Sequence, residues 1–142
     1  MANIFNNLSD NDLLFGYKQI VWYYENEVKN GTRGFNKNRL KPFLENKGIA
    51  ISTSSNIEKA SRQTIGQKRK SYLFFSQKGF DIPLILRVLR NSFAHSNVSK
   101  ILIGGHYYLV IYNFFRGKKT FVGQISYAQF HDFIDALKGC RY

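Results

Sequence analysis

The chain has one cysteine, two prolines and nine acidic residues among its 142, and each shortage excludes something. Cys140 stands alone near the C-terminus, which rules out an internal disulfide framework or a cysteine zinc site and suits a reducing compartment; cytoplasm is the expected location. Pro42 and Pro83 both lie near expected helix starts, so no proline-rich linker divides the chain, and one domain over residues 1–142 is expected. No apolar run approaches the ~20 residues that cross a bilayer. Met1-Ala2-Asn3 opens without the basic and apolar regions of a signal peptide, so neither secretion nor membrane contact is expected. A Walker loop, a nucleophile elbow and a Rossmann glycine set are all missing, and no cofactor is expected.

Large apolar side chains and positive charge are abundant. Thirteen Phe, nine Tyr and one Trp can fill a single core, because a chain of this length buries roughly two-thirds of its unfolded surface. Twenty-one Lys plus Arg leave a net charge of +12, which makes polyanions, RNA among them, the expected partners. The excess is local: Arg33 to Lys78 holds eleven basic and two acidic residues, whereas the first thirty-two residues are net acidic. A merely solvated, soluble surface is the competing reading of that charge.

Hydrophobic spacing predicts a first helix after the N-cap Ser9, with Leu13, Tyr17, Ile20, Tyr24 and Val28 on one face and Asn30-Gly31 at its end. A shorter helix is expected near Leu40–Asn46, closed by Gly48. Residues 49–55 read as irregular or a short extended piece, and Asn56 to about Gln77 as a third helix with Lys68, Arg69 and Lys70 on its solvent side. Asp81 and Pro83 open the fourth helix, which is apolar nearly all round and therefore central. After Asn97 the period changes to two. Ile101–Ile103, Tyr107–Phe115 and Thr120–Ile125 predict a β-hairpin with a short extra strand. Ser126, with Gln129 three residues on, predicts a capped last helix.

Arg90 and His95 do not belong on the fourth helix by apolar logic. A guanidinium among core side chains costs several kcal/mol unless it is paired or opens onto a cleft, and its fork is well shaped to hold a phosphate. His95 ends the helix, and an imidazole is the side chain suited to give or take a proton at neutral pH. Asn91 and His95 are four residues apart and share a face, while Arg90 points about 140° from His95 in an ideal helix.

The segment Leu89-Arg90-Asn91-Ser92-Phe93-Ala94-His95-Ser96-Asn97, at the end of an apolar helix, resembles the HEPN superfamily. Those helical domains carry an R-X4–6-H motif with a polar residue after the Arg, here Asn91. The resemblance implies a mainly α fold: a HEPN-like helical bundle over about residues 9–97, decorated by a C-terminal β-hairpin and terminal helix over about 99–139. It also implies a metal-independent endoribonuclease, working as a homodimer in which two motifs face one cleft. A ribose 2′-hydroxyl would attack the adjacent phosphate, with His95 in proton transfer, Arg90 stabilising the transition state and Asn91 orienting them. Independently of the resemblance, the positive charge makes Lys68, Arg69, Lys70 and Arg87 the expected RNA contacts, with a solvated helix face the plainer reading of Lys68 to Lys70. A toxin or phage-defence role with a cognate antitoxin or defence partner is implied too, although members whose antitoxin modifies a tyrosine carry it two positions after the motif His, where this chain has Asn97. Some members have lost cleavage and serve as RNA- or protein-binding modules.

The same residues have plainer readings. Arg90 could pair with a buried carboxylate and His95 cap the helix. His106, after Gly104-Gly105, reads as a turn residue, and His131 with Asp135 has helical spacing for two metal ligands but no third. Tyr107, Tyr108, Tyr112, Phe114 and Phe115 could stack on bases, yet core packing is the better expectation, and the strand order does not suit an RRM. Cys140 lacks a nearby base.

Overall fold

Ser9 opens the first helix as the sequence predicts: its hydroxyl accepts from the Asp12 amide while the Asp12 carboxylate accepts from the Ser9 amide, both at 3.1 Å. In the computed structural model, which describes residues 8–31, 34–76 and 79–142 and the backbone of Ile4–Phe5, this helix, α1 (Asp10–Gly16), runs into π-helical turns at Tyr17–Trp22 and Tyr24–Val28. Gly16 permits the close crossing of Phe93, whose ring occupies the space a Cβ would need. Arg33 and Lys78, the ends of the basic stretch, and Gln77 at the end of the expected third helix lie outside the described residues.

After a 3-10 turn at Lys37–Arg39, α2 (Leu40–Lys47) ends at Gly48 in the left-handed conformation, as expected. Downstream the architecture departs from expectation. Strand β2 (Ile49–Thr53), helix α3 (Ile57–Thr64) and strand β3 (Ser71–Phe75) form a βαβ unit with parallel strands. The fourth helix, α4 (Ile82–Ala94), leads to β4 (Val98–Ile103), β5 (His106–Phe115), β6 (Lys118–Ser126) and α5 (Tyr127–Lys138). With the short β1 (Ile4–Phe5), the strands make a six-stranded sheet in the order β1-β4-β5-β6-β3-β2. Every neighbour is antiparallel except the β2–β3 pair.

The expected mainly helical HEPN-like bundle is therefore corrected to a mixed α/β fold. The main departure is at the third helix, which stops well short of its expected end. Ile65 is already extended at ψ 124° and Gly66 adopts φ +77°, so α3 stops at Thr64. Ser71–Phe75 then alternates buried and half-buried, and its backbone groups pair with β6 on one side and β2 on the other. Strands β5 and β6 lie in the middle of the sheet, so the hairpin is the scaffold and not decoration.

Two cores result. The larger joins Ile85, Leu86, Leu89 and Phe93 of α4 and Phe133 and Leu137 of α5 to one face of the sheet, through Leu73, Leu109, Ile111 and Phe121. On the opposite face, Ile57 and Ile65 cover Ile101, Tyr108, Val110 and Val122. Period-two alternation along β5 and β6 sends successive side chains to the two cores. Helix α5 begins at Ser126, but the expected capping box is not made. Gln129 instead accepts from the Ser71 hydroxyl and donates to the Lys47 carbonyl, tying α5 to β3 and α2.

Candidate functional site

Helix α4 owes its position to its two ends. At the start, the Asp81 carboxylate accepts from the Leu84 amide at 2.8 Å, and Pro83 sits where a missing N–H is harmless. At the finish, Ser96 takes φ +58°, the Asn97 amide reaches back to Ser92 O at 2.8 Å and the Ser96 amide to Phe93 O at 3.2 Å. That is a Schellman closure with serine in the place glycine usually fills, and it fixes His95 as the C-cap. The buried Ser92 hydroxyl is shared between Val88 O and Tyr112 O, which locks the helix against β5.

Between these ends Arg87, Asn91 and His95 recur every fourth residue, a row on one face that rises ~6 Å per step. Arg87 and His95 are exposed and Asn91 is half-buried. Arg90 projects elsewhere. Its Nη2 lies 2.6 Å from Oε1 of Glu25, in the second π-helical stretch, and its Nη1 donates to Asn91 Oδ1 at 2.7 Å. Both side chains of the ion pair are about 30% exposed, at 29% and 31%, so water screens it only partly. Glu25 also meets Lys29 at 3.5 Å. The guanidinium thus has a carboxylate partner, as in the plainer reading except that Glu25 is partly exposed and not buried, and it sets the direction of the Asn91 amide.

Beside the Arg87–Asn91 part of the row lies a cleft of about 530 Å³. One wall is Arg87, Val88 and Asn91; the other is Asn113, Phe115 and Thr120 from the β5–β6 hairpin. The hairpin closes through Arg116 and Gly117, both with positive φ, a two-residue turn whose twist suits antiparallel strands. A bulge between Asn113 and Phe114 interrupts the alternation just before it. Both Phe114 and Phe115 are consequently exposed, at 48% and 63%, and both border the cleft. Asn113 Nδ2 donates to Thr120 Oγ1 at 2.9 Å, and that hydroxyl donates to Asn113 O at 3.3 Å.

The structure keeps Lys68, Arg69 and Lys70 apart from this cleft. They are exposed on the loop after α3, not on a helix face. Gln124, fully buried on β6, accepts from the Gly66 amide at 2.8 Å and donates to Lys68 O and Lys70 O at 2.7 and 2.8 Å. The Arg69 side chain lies over Gly104, in the turn that starts β5, whereas Arg87 faces residues at the far end of that strand. Ten residues of strand separate the two ends by ~30 Å.

The remaining candidates have structural places. The His131 ring stacks on Phe15 with centroids 3.7 Å apart. His106 is exposed beside the Gly104–Gly105 turn. Cys140 is buried with its thiol donating to Ala136 O, and burial pushes that thiol's pKa up, against nucleophilic use. Tyr108 belongs to the smaller core, and Tyr112 packs against that core and carries Lys119 4.6 Å above its ring. Among the described residues no three His, Cys, Asp or Glu side chains gather as metal ligands, and no helix is long and apolar enough to cross a membrane. Sequence reasoning missed Asn113 and Thr120; the only signal for them was the pair Phe114-Phe115, where the alternation of β5 breaks before Arg116-Gly117.

No protein-family model, curated protein or solved structure matches the chain.

Proposed function

We propose that the chain acts on RNA along the exposed face of α4, and that it cleaves the strand without a metal. The observation that carries the reading is the row of Arg87, Asn91 and His95, whose first two members line an aromatic-walled cleft. It offers a forked cation for a phosphate, an amide for a polar contact and an exposed imidazole for proton transfer. The resemblance to HEPN endoribonucleases supplies the chemistry: the 2′-oxygen bonds to the adjacent phosphorus, the 5′-oxygen departs, and a 2′,3′-cyclic phosphate and a 5′-hydroxyl remain. One group must take the 2′ proton and another must protonate the leaving oxygen. A single chain brings one imidazole to this row, so a second copy supplying its own His95 completes the pair. Arg87 holds the phosphate, and Arg90 is a positioning residue that acts through Asn91 while Glu25 engages it. Unchecked cleavage of cellular RNA would suit a toxin or phage-defence role with a cognate partner.

The test is incubation of the purified chain with RNA in the presence of a chelator, followed by end-group analysis. Fragments with 2′,3′-cyclic phosphate and 5′-hydroxyl ends are expected, and His95→Ala should lower the rate ~100-fold or more with an unchanged melting temperature. Undiminished cleavage by His95→Ala removes the site. A second reading, an RNA-binding module that does not cut, is favoured by the Glu25–Arg90 pair, which leaves that guanidinium already neutralised. RNA that is bound, released on raising salt and recovered intact would select it.

A further inference from the structure

At the α4–hairpin cleft the existing hydrogen bonds turn the two asparagine side chains opposite ways, one leaving its amide nitrogen and the other its carbonyl oxygen for a ligand. Asn91 accepts from Arg90 through Oδ1, so the end of its amide left over is the Nδ2 donor. Asn113 donates through Nδ2 to Thr120, so the end left over is the Oδ1 acceptor. The two amides stand on opposite walls of the same cleft. A guanidinium only donates, so rotating the Asn91 amide end for end would forfeit its bond from Arg90, and rotating Asn113 would draw the Thr120 hydroxyl proton away from Asn113 O. Leu84 and Val88 add apolar lining on the α4 side, the Phe114 and Phe115 rings border the cleft, and Arg87 is exposed beside it.

We propose that this cleft takes one unpaired nucleobase of an RNA strand and reads its edge through the Asn91 amide and the Asn113 carbonyl, with Arg87 on the adjoining phosphate. The proposal rests on the RNA reading above and deepens it: the substrate is single-stranded at that nucleotide. A paired, stacked base keeps its Watson–Crick edge and its flat faces inside a duplex, whereas an unstacked base offers both. The exposed rings supply a stacking surface that any base can use, and the two amides supply the part that differs between bases. Every base carries donors and acceptors on its edge, in an order that differs from one to another, so a fixed donor and a fixed acceptor select by order.

The experiment is a fluorescence titration with seven-nucleotide oligo(A), oligo(C) and oligo(U), with a mixed-sequence RNA duplex, and with the matching nucleoside 5′-monophosphates. The wild type should bind single strands more tightly than duplex and separate the best from the worst homopolymer by about fivefold or more. Asn91→Asp keeps the oxygen that accepts from Arg90 and turns the donor into an acceptor, so the rank order of the homopolymers should change. Asn91→Leu, which adds no charge, should flatten the ranking. Phe115→Ala should weaken all three by about tenfold without reordering them. Equal, salt-sensitive binding of all oligonucleotides, unmoved by the three variants, overturns the base pocket and leaves RNA binding standing. Monophosphates that bind with the same ranking while RNA is neither bound nor cut would overturn the RNA reading and keep the pocket. Binding of neither class overturns both.

Discussion

Lys68, Arg69 and Lys70 sit on a loop whose backbone is pinned from beneath by Gln124, while Arg87 stands on a helix beside amides and exposed rings. In the first region the sequence spends a buried side chain on the shape of the chain and leaves three cations to the solvent. In the second, one cation is joined by groups of different chemistry that converge on a cleft. Charge alone would rank the loop higher. Geometry ranks the cleft higher, because a phosphate contact attracts any polyanion, whereas discrimination and reaction need groups aimed at one place.

The largest effect should come from removing what shapes the loop. Gln124→Leu fits a buried apolar site but leaves the Gly66 amide and the Lys68 and Lys70 carbonyls without their partner, at a cost of about 2–4 kcal/mol. Chemical denaturation measures it. If the two regions are independent, oligonucleotide ranking at the cleft survives the substitution under conditions where the protein stays folded. A lost ranking in folded protein would show that the sheet couples them.

A smaller effect is expected from the charges themselves. Each phosphate contact on a single strand contributes ~0.7 to the slope of log affinity against log salt, so replacing Lys68, Arg69 and Lys70 together by Ala should flatten that slope by about 2. Arg87→Ala should flatten it by about 0.7 and also lower cleavage of the strand already bound. A triple variant that loses cleavage of saturating RNA as fully as His95→Ala would invert the comparison.

Much of the fold is legible in the sequence. The Ser9 and Asp81 caps, the Gly48 stop, the strands of the β5–β6 hairpin and the apolar character of α4 follow from local chemistry, and local chemistry is what a sequence displays. The strand at Ser71–Phe75 was hidden because Ser-Tyr-Leu-Phe-Phe carries apolar residues at spacings that suit a helix as well as a strand. Its choice is made by partners, β6 on one side and β2 on the other, more than forty and about twenty residues away. Read as a helix, that segment removes an inner strand of the sheet and leaves β2 without a partner. At the site, Arg90 stands out on an apolar helix, but its partner Glu25 lies in a different element, sixty-five positions earlier. Arg87, four residues before Asn91, could be placed on its row by helical period alone. Asn113 and Thr120 could not, since their use depends on a bulge and on facing α4 across the cleft.

The smallest of the expected effects lies away from both cationic regions and separates stability from function. The Tyr127 hydroxyl donates to the Asp12 carboxylate in a very short contact, joining the first turns of α1 and α5, and Lys100 lies 4.0 Å above the Tyr127 ring. Burial pushes the Asp12 pKa up, but the bonds from Tyr127 and Ser9 and the charge of Lys100 outweigh it, so its carboxyl titrates below the ordinary 3.8. The same bond, aided by burial, raises Tyr127 above its ordinary 10.0. A depressed carboxyl contributes stability above the unfolded value that is lost as pH falls through the folded one; a raised phenol contributes stability below 10.0 that is lost as pH climbs through its higher folded value. Tyr127→Phe should therefore cost about 1 kcal/mol on the plateau between those limits, by the usual worth of one such bond. It should abolish the alkaline decline due to this group and soften the acid one, where the Ser9 bonds persist. Thermal melts across pH measure this, and RNA cleavage by the folded variant should equal wild type. A cleavage defect at full folding would mean that the α1–α5 joint, and with it the π-helical stretch carrying Glu25, reaches the α4 row.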